Sequence, residues 1–146
     1  MGGGDMPTWT RDGQQAFRVI NRAPEQPWLM VFDPATSAET PVLKIPKGST
    51  LIDLSPRGRF ALLKRGGMAL RPLVVVAVGS GKQHVLNTPG GTFLGALMME
   101  FHWRSRQPGE SFWSPDGRRL MIQSIGLEGR RGVWRTWLYT VPDDWP

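Results

Sequence analysis

Histidine chemistry in this chain has only His84 and His102 to draw on. His102 has the better setting: between Met98 and Arg104 the apolar Met99, Phe101 and Trp103 alternate with Glu100, His102 and Arg104, the pattern of a strand with one apolar and one polar face. Glu100 and His102 would share the polar face, a carboxylate beside an imidazole, which is a combination suited to proton transfer. No G-x-S-x-G motif supplies a nucleophile, so catalysis is not expected there. His84 falls on an outer strand and reads as a surface residue. The chain has no cysteine, which removes thiol nucleophiles and thiolate metal sites. Two histidines and scattered carboxylates give no metal-ligand spacing, and no cofactor is expected.

The stretch VGSGK, Val78 to Lys82, invites a phosphate-loop reading because glycine-rich amides can cradle phosphate. The spacing fails: Val76 stands where the first glycine is needed, and Gln83 follows the lysine in place of Ser or Thr. The segment is expected to be a hairpin turn.

The elements that would hold these residues are set out by a repeat. WTRDGQQAFRVIN (Trp9 to Asn21), LSPRGRFALLKR (Leu54 to Arg65) and WSPDGRRLMIQS (Trp113 to Ser124) share one grammar. An apolar residue is followed by Ser or Thr, then Pro or Arg, Asp or Arg, and Gly, before a mostly apolar run. Proline fixes φ for a turn, aspartate accepts from the local backbone, and glycine takes positive φ. Gly13 and Gly58 are 45 residues apart, and Gly58 and Gly117 are 59 apart. The tails VLKIPKGSTL and VLNTPGGTFL match at Val42/Val85, Leu43/Leu86, Pro46/Pro89, Gly48/Gly91 and Leu51/Leu94, a spacing of 43. The third unit therefore carries an insertion of roughly 16 residues.

A unit of this length with four short strands is one blade of a β-propeller, whose sheets bury their faces against neighbouring blades. The expected class is all-β, in about three four-stranded antiparallel sheets with the last incomplete. Strands are expected at 7–9, 15–21, 28–32 and 39–45; at 50–54, 59–64, 73–78 and 83–87; and at 111–113, 119–124 and 133–141. The whole chain, 1–146, reads as one unit: repeat 1 at about 7–46, repeat 2 at 47–89, an insertion at 92–107 and repeat 3 at 108–146. Trp9 and Trp113 occupy the same repeat position and are expected to pack between blades.

These turns, SPDGRRL and SPRGRFAL, with the following xVFDPAT and VAVGSGK segments, resemble the TolB-type, WD-like propeller repeats. The same repeats build the propellers of prolyl oligopeptidase-family serine peptidases. The resemblance covers most of the chain, with Arg57 where the aspartate usually stands and Arg11 in place of the proline. It implies a propeller fold and leaves function open.

Composition agrees with a folded chain, 40% hydrophobic and 21% charged. The formal charge of +6 comes mostly from arginine; without an RRM, KH or zinc-finger motif it reads as surface charge, and nucleic acid is set aside as a partner. No run of apolar residues reaches the ~20 needed to cross a bilayer. The N-terminus has no signal-peptide pattern, so the expectation is a soluble protein, cytoplasmic if the first methionine is native.

Closed propellers have roughly four to eight blades, and this chain supplies about three. Two copies could join head to tail as a homodimer with a six-bladed ring, the chain could belong to a longer propeller, or the unit could stay open with the insertion folded over it. The leading functional expectation is a non-catalytic module binding a protein or peptide. On the insertion, His102, Trp103, Arg104 and Arg106 are the candidate contact residues, because Trp and Arg anchor interfaces and Trp103 has no repeat counterpart. The alternative is the gating propeller of a prolyl oligopeptidase-like peptidase whose hydrolase lies outside this chain. A stand-alone enzyme or nucleic-acid binder is the third class.

Overall fold

The computed structural model describes residues 8–10, 12–20, 26–65, 73–86, 112–128 and 131–145. Among them there is no helix, and ten strands form three antiparallel sheets. Sheet A is a meander of β1 (Thr8–Trp9), β2 (Ala16–Ile20), β3 (Trp28–Asp33) and β4 (Ala38–Lys44). Sheet B repeats it with β5 (Ser49–Leu54), β6 (Phe60–Arg65), β7 (Leu73–Ala77) and β8 (Gln83–Leu86). Sheet C is the hairpin of β9 (Arg119–Glu128) and β10 (Arg131–Thr140), with Trp113 bridging Leu120 where a first strand would run. Within each sheet, hydrogen-bonded neighbours are strands consecutive in the chain. Pro41, which cannot donate to a ladder, lies on the outer strand β4, where that costs nothing.

Sheet B is the centre of the molecule. Its inner strands carry the continuous apolar runs FALL (60–63) and LVVVA (73–77), the signature of strands covered on both sides. Alternation divides them cleanly. Ala61, Leu63, Val74 and Val76 pack with Phe17, Leu29 and Leu43 of sheet A. Phe60, Leu62, Val75 and Ala77 pack with Leu120 and Ile122 of sheet C, together with Trp113, Val141 and Trp145. Sheet B thus has an upstream face, turned toward sheet A, and a downstream face, turned toward sheet C, and the same terms name the corresponding faces of sheets A and C.

The described strands lie close to the expected ones, with two differences, both in the third unit. The third hairpin is longer: β9 continues to Glu128 and β10 begins at Arg131. Gly126 and Gly132 suggest a loop in sequence, but the ladder sets Gly126 opposite Val133 and Gly132 opposite Leu127. Each glycine is paired with a bulky residue, and the strands run on. The first strand expected at 111–113 is reduced to the single bridge at Trp113. The insertion at 92–107 lies outside the described residues.

Candidate interaction surfaces

The three tight turns are built alike. In the third, Gly117 N–H donates to the Ser114 carbonyl, Ser114 N–H to the Arg119 carbonyl, and Arg119 N–H to Ser114 Oγ at 2.9 Å. The Ser114 hydroxyl donates in turn to Asp116 Oδ1, which also accepts from Arg118 N–H at 3.0 Å. Thr10 and Asp12 repeat the pattern, with the Thr10 hydroxyl donating to Asp12 Oδ1 at 2.6 Å and Asp12 accepting from Gln14 N–H. The hydroxyl of Thr10 or Ser114, followed by backbone amides, holds the Asp12 and Asp116 carboxyls below their ordinary value. In the second turn Ser55 Oγ still accepts from Phe60 N–H, and Arg57 stands in the aspartate position.

These turns also seat each sheet on the one before. A Cβ at Gly58 would lie 2.2 Å from Cζ of Phe17 in sheet A, and one at Gly117 would meet Pro56 and Ser55 of the second turn at ordinary contact distance. Sheets B and C share a further tie. The buried Asp53 accepts from Phe112 N–H at 3.0 Å with Oδ2 and from Leu54 N–H at 2.9 Å with Oδ1. The chain end then folds back: Val141 N–H donates to the Arg118 carbonyl, and Trp145 packs on Phe60 with ring centroids 6.2 Å apart.

The repeat lets exposure be compared position by position. Aligned on Gly58 and Gly117, Met121 stands where Leu62 stands, and their cross-strand partners Leu138 and Val75 correspond as well. Leu62 and Val75 are 1% and 0% exposed; Met121 and Leu138 are 54% and 66% exposed. The downstream face of sheet C is therefore the counterpart of a buried blade face, with Met121 and Leu138 exposed on it. At the other end, Trp113 is 4% exposed, stacked on Phe60 at 5.9 Å, whereas its counterpart Trp9 is 54% exposed. Trp9 pairs with Ala16 and so lies on the upstream face of sheet A, with Trp28, Met30 and Phe32 half-buried on that same face. The expectation that both tryptophans pack between blades holds for Trp113, stacked on Phe60, and not for Trp9, whose ring is exposed on the upstream face of sheet A.

The polar groups of the upstream face of sheet A are partnered within the sheet. Arg18 pairs with Glu39 at 2.6 Å, and Lys44 Nζ lies 5.9 Å from the centre of the Trp28 ring. At the outer rim between sheets B and C, His84 is exposed and stacks on Tyr139 with ring centroids 5.1 Å apart. Burial raises the pKa of the Tyr139 phenol, and its hydroxyl has no hydrogen-bond partner among the described residues. Lys82 sits 5.7 Å from the Trp145 ring centre and 3.8 Å from Asp144.

The contact residues expected from sequence, His102, Trp103, Arg104 and Arg106, lie outside the described residues, as does Glu100. The VGSGK segment is a hairpin turn joining β7 to β8, closed by Gly81 N–H donating to the Ala77 carbonyl and Ala77 N–H to the Lys82 carbonyl. Among the described residues no group of three or more His, Cys, Asp or Glu gathers at metal-binding distance, and no helix is long and apolar enough to cross a membrane. Sequence reading passed over Met121, Leu138 and Asp53. The first two stand at the repeat positions of Leu62 and Val75, and their type does not distinguish exposed from buried; Asp53 shows itself only as a lone carboxylate in an otherwise uncharged strand, STLIDL.

Comparison with known proteins agrees with this architecture. No protein-family model matches the chain, and no curated protein matches it in sequence. Among solved structures, a prolyl endopeptidase studied for the role of inter-domain dynamics in catalysis and specificity aligns with 94% of this chain at a TM-score of 0.59 and 15% identity. TolB from Acinetobacter baumannii aligns over 94% of the chain at a TM-score of 0.49 and 13% identity. Both contain β-propellers. The chain spans 20% of the endopeptidase and 30% of TolB, and at such identities the likeness is one of fold. The three sheets are blades of the β-propeller type.

Proposed function

We propose that this chain is a non-catalytic propeller module that binds a protein partner through the open blade faces at its two ends. The observation that carries this reading is the contrast between Leu138 and Met121, both solvent-exposed, and their buried counterparts Val75 and Leu62. Apolar patches that would be core in the adjoining repeat are surfaces that another protein covers. The polar residues near them serve structure: Asp12 and Asp116 hold turns, and His84 stacks on Tyr139.

The likeness to a prolyl endopeptidase supports a second reading, in which the partner surface belongs to the rest of a peptidase and the blades sit over its active site. A photoreactive amino acid at Leu138, with one at Ser80 as control, separates the possibilities in the producing cell. A light-dependent protein adduct from position 138 alone supports the module reading, and an adduct to a hydrolase supports the second. Equal labelling at both positions, or none, overturns both.

A further inference from the structure

The two open faces are the two halves of a contact that the chain makes twice within itself. Sheet A meets sheet B, and sheet B meets sheet C, each time with a downstream face against an upstream one. Among the described residues, the downstream face of sheet C carries the exposed Met121 and Leu138, and the upstream face of sheet A carries the exposed Trp9. We propose that the partner is a second copy of this chain, bound head to tail so that each copy's sheet C packs on the other's sheet A and two three-bladed units close a six-bladed ring. The inference rests on the module reading above.

Three observations carry it. Two copies of the three described sheets, related by a two-fold axis, make six blades, a number within the roughly four to eight that closed propellers adopt. The faces are compatible in polarity, because Arg18 and Lys44 on sheet A already have partners within their own sheet, so docking buries no lone charge from them. One pair at the proposed interface is also specific. In the contact between sheets B and C, Phe60 stacks on Trp113. The counterpart of Phe60 on the open face of sheet C is Arg119, exposed, and the counterpart of Trp113 on the open face of sheet A is Trp9, also exposed. Where the internal contact stacks two rings, the closing contact places a guanidinium on an indole, a pairing that Arg forms readily. An exposed Trp at one end of the chain thus faces an exposed Arg at the other.

Light scattering on the purified chain tests the assembly, and paired variants test its geometry. The expected mass is twice 16.3 kDa. Leu138→Glu, on an exposed residue, should weaken association at least ~100-fold by burying a charge, while circular dichroism stays unchanged. Arg119→Ala should weaken it about 3- to 30-fold, and Arg119→Phe, which restores the internal pattern, should not weaken it. Trp28→Glu should also give a monomer. Mixing Leu138→Glu with Trp28→Glu should recover a dimer, because the mixed ring keeps one interface with both native faces. A monomer at every concentration overturns the proposal, as does a dimer that single variants break but mixing fails to restore, since that dimer joins like faces. Mass that grows without limit also overturns it. If the chain is monomeric while position 138 crosslinks to a different protein, the module reading stands and the second copy does not.

Discussion

Gly58 shows how one residue can serve a turn and a core together. It adopts φ of +67°, and the space beside it is filled by Phe17. Gly13 has nearly the same φ, +69°, with open space around it. Gly58→Ala should therefore cost about 2–5 kcal/mol, the left-handed strain plus a clash inside a packed core, while Gly13→Ala should cost about 1–2 kcal/mol. Urea unfolding of the two variants checks the order. Asp116 makes a prediction about pH. Its carboxyl is held below the ordinary 3.8 by the Ser114 hydroxyl and then the Arg118 amide, so its contribution is complete above that value and is lost as pH falls through the folded-state pKa. Asp116→Asn should reduce stability at neutral pH and flatten its decline below about pH 4; a variant with the same acid profile as the parent contradicts the assignment. The turn chemistry was legible in sequence because Ser, Pro, Asp and Gly each have one conformational task. That Gly58 also seats sheet B on Phe17 was not, since the close approach joins residues far apart in the chain.

Sheets A and B were legible almost to the residue: the turn grammar marks the strands of both, and in sheet B the doubly buried stretches read as the unbroken apolar runs FALL and LVVVA. Sheet C was harder. Its glycines pair across the ladder and extend the hairpin, an arrangement that only the register reveals. The attachment of sheet C to sheet B depends on apolar packing and on Asp53, whose two carboxylate oxygens each hold one backbone amide. Asp53→Ala leaves the Leu54 and Phe112 amides without this acceptor, at a cost of about 2–4 kcal/mol. The loss should fall on one element. Hydrogen exchange should show protection in β9 and β10 dropping while β6 and β7 keep theirs; a uniform loss across both sheets would show that Asp53 acts within sheet B alone.

At the scale of the molecule, three described sheets repeat one contact, and one face each of sheets A and C carries exposed apolar residues. The repeat itself could be read from the spacing of the glycines. Which residues are exposed could not, because Met121 and Leu138 are as apolar as their buried counterparts Leu62 and Val75. The absence of cysteine makes this directly measurable: Val75→Cys and Leu138→Cys, each the chain's sole thiol, can be labelled across a dilution series. The Val75→Cys thiol should resist labelling at every concentration. The Leu138→Cys thiol should react rapidly in dilute solution and become protected as concentration rises and the ring closes. Equal reactivity of the two thiols would contradict the stacking of the sheets, and a Leu138→Cys thiol that labels equally fast at all concentrations would contradict closure by a second copy.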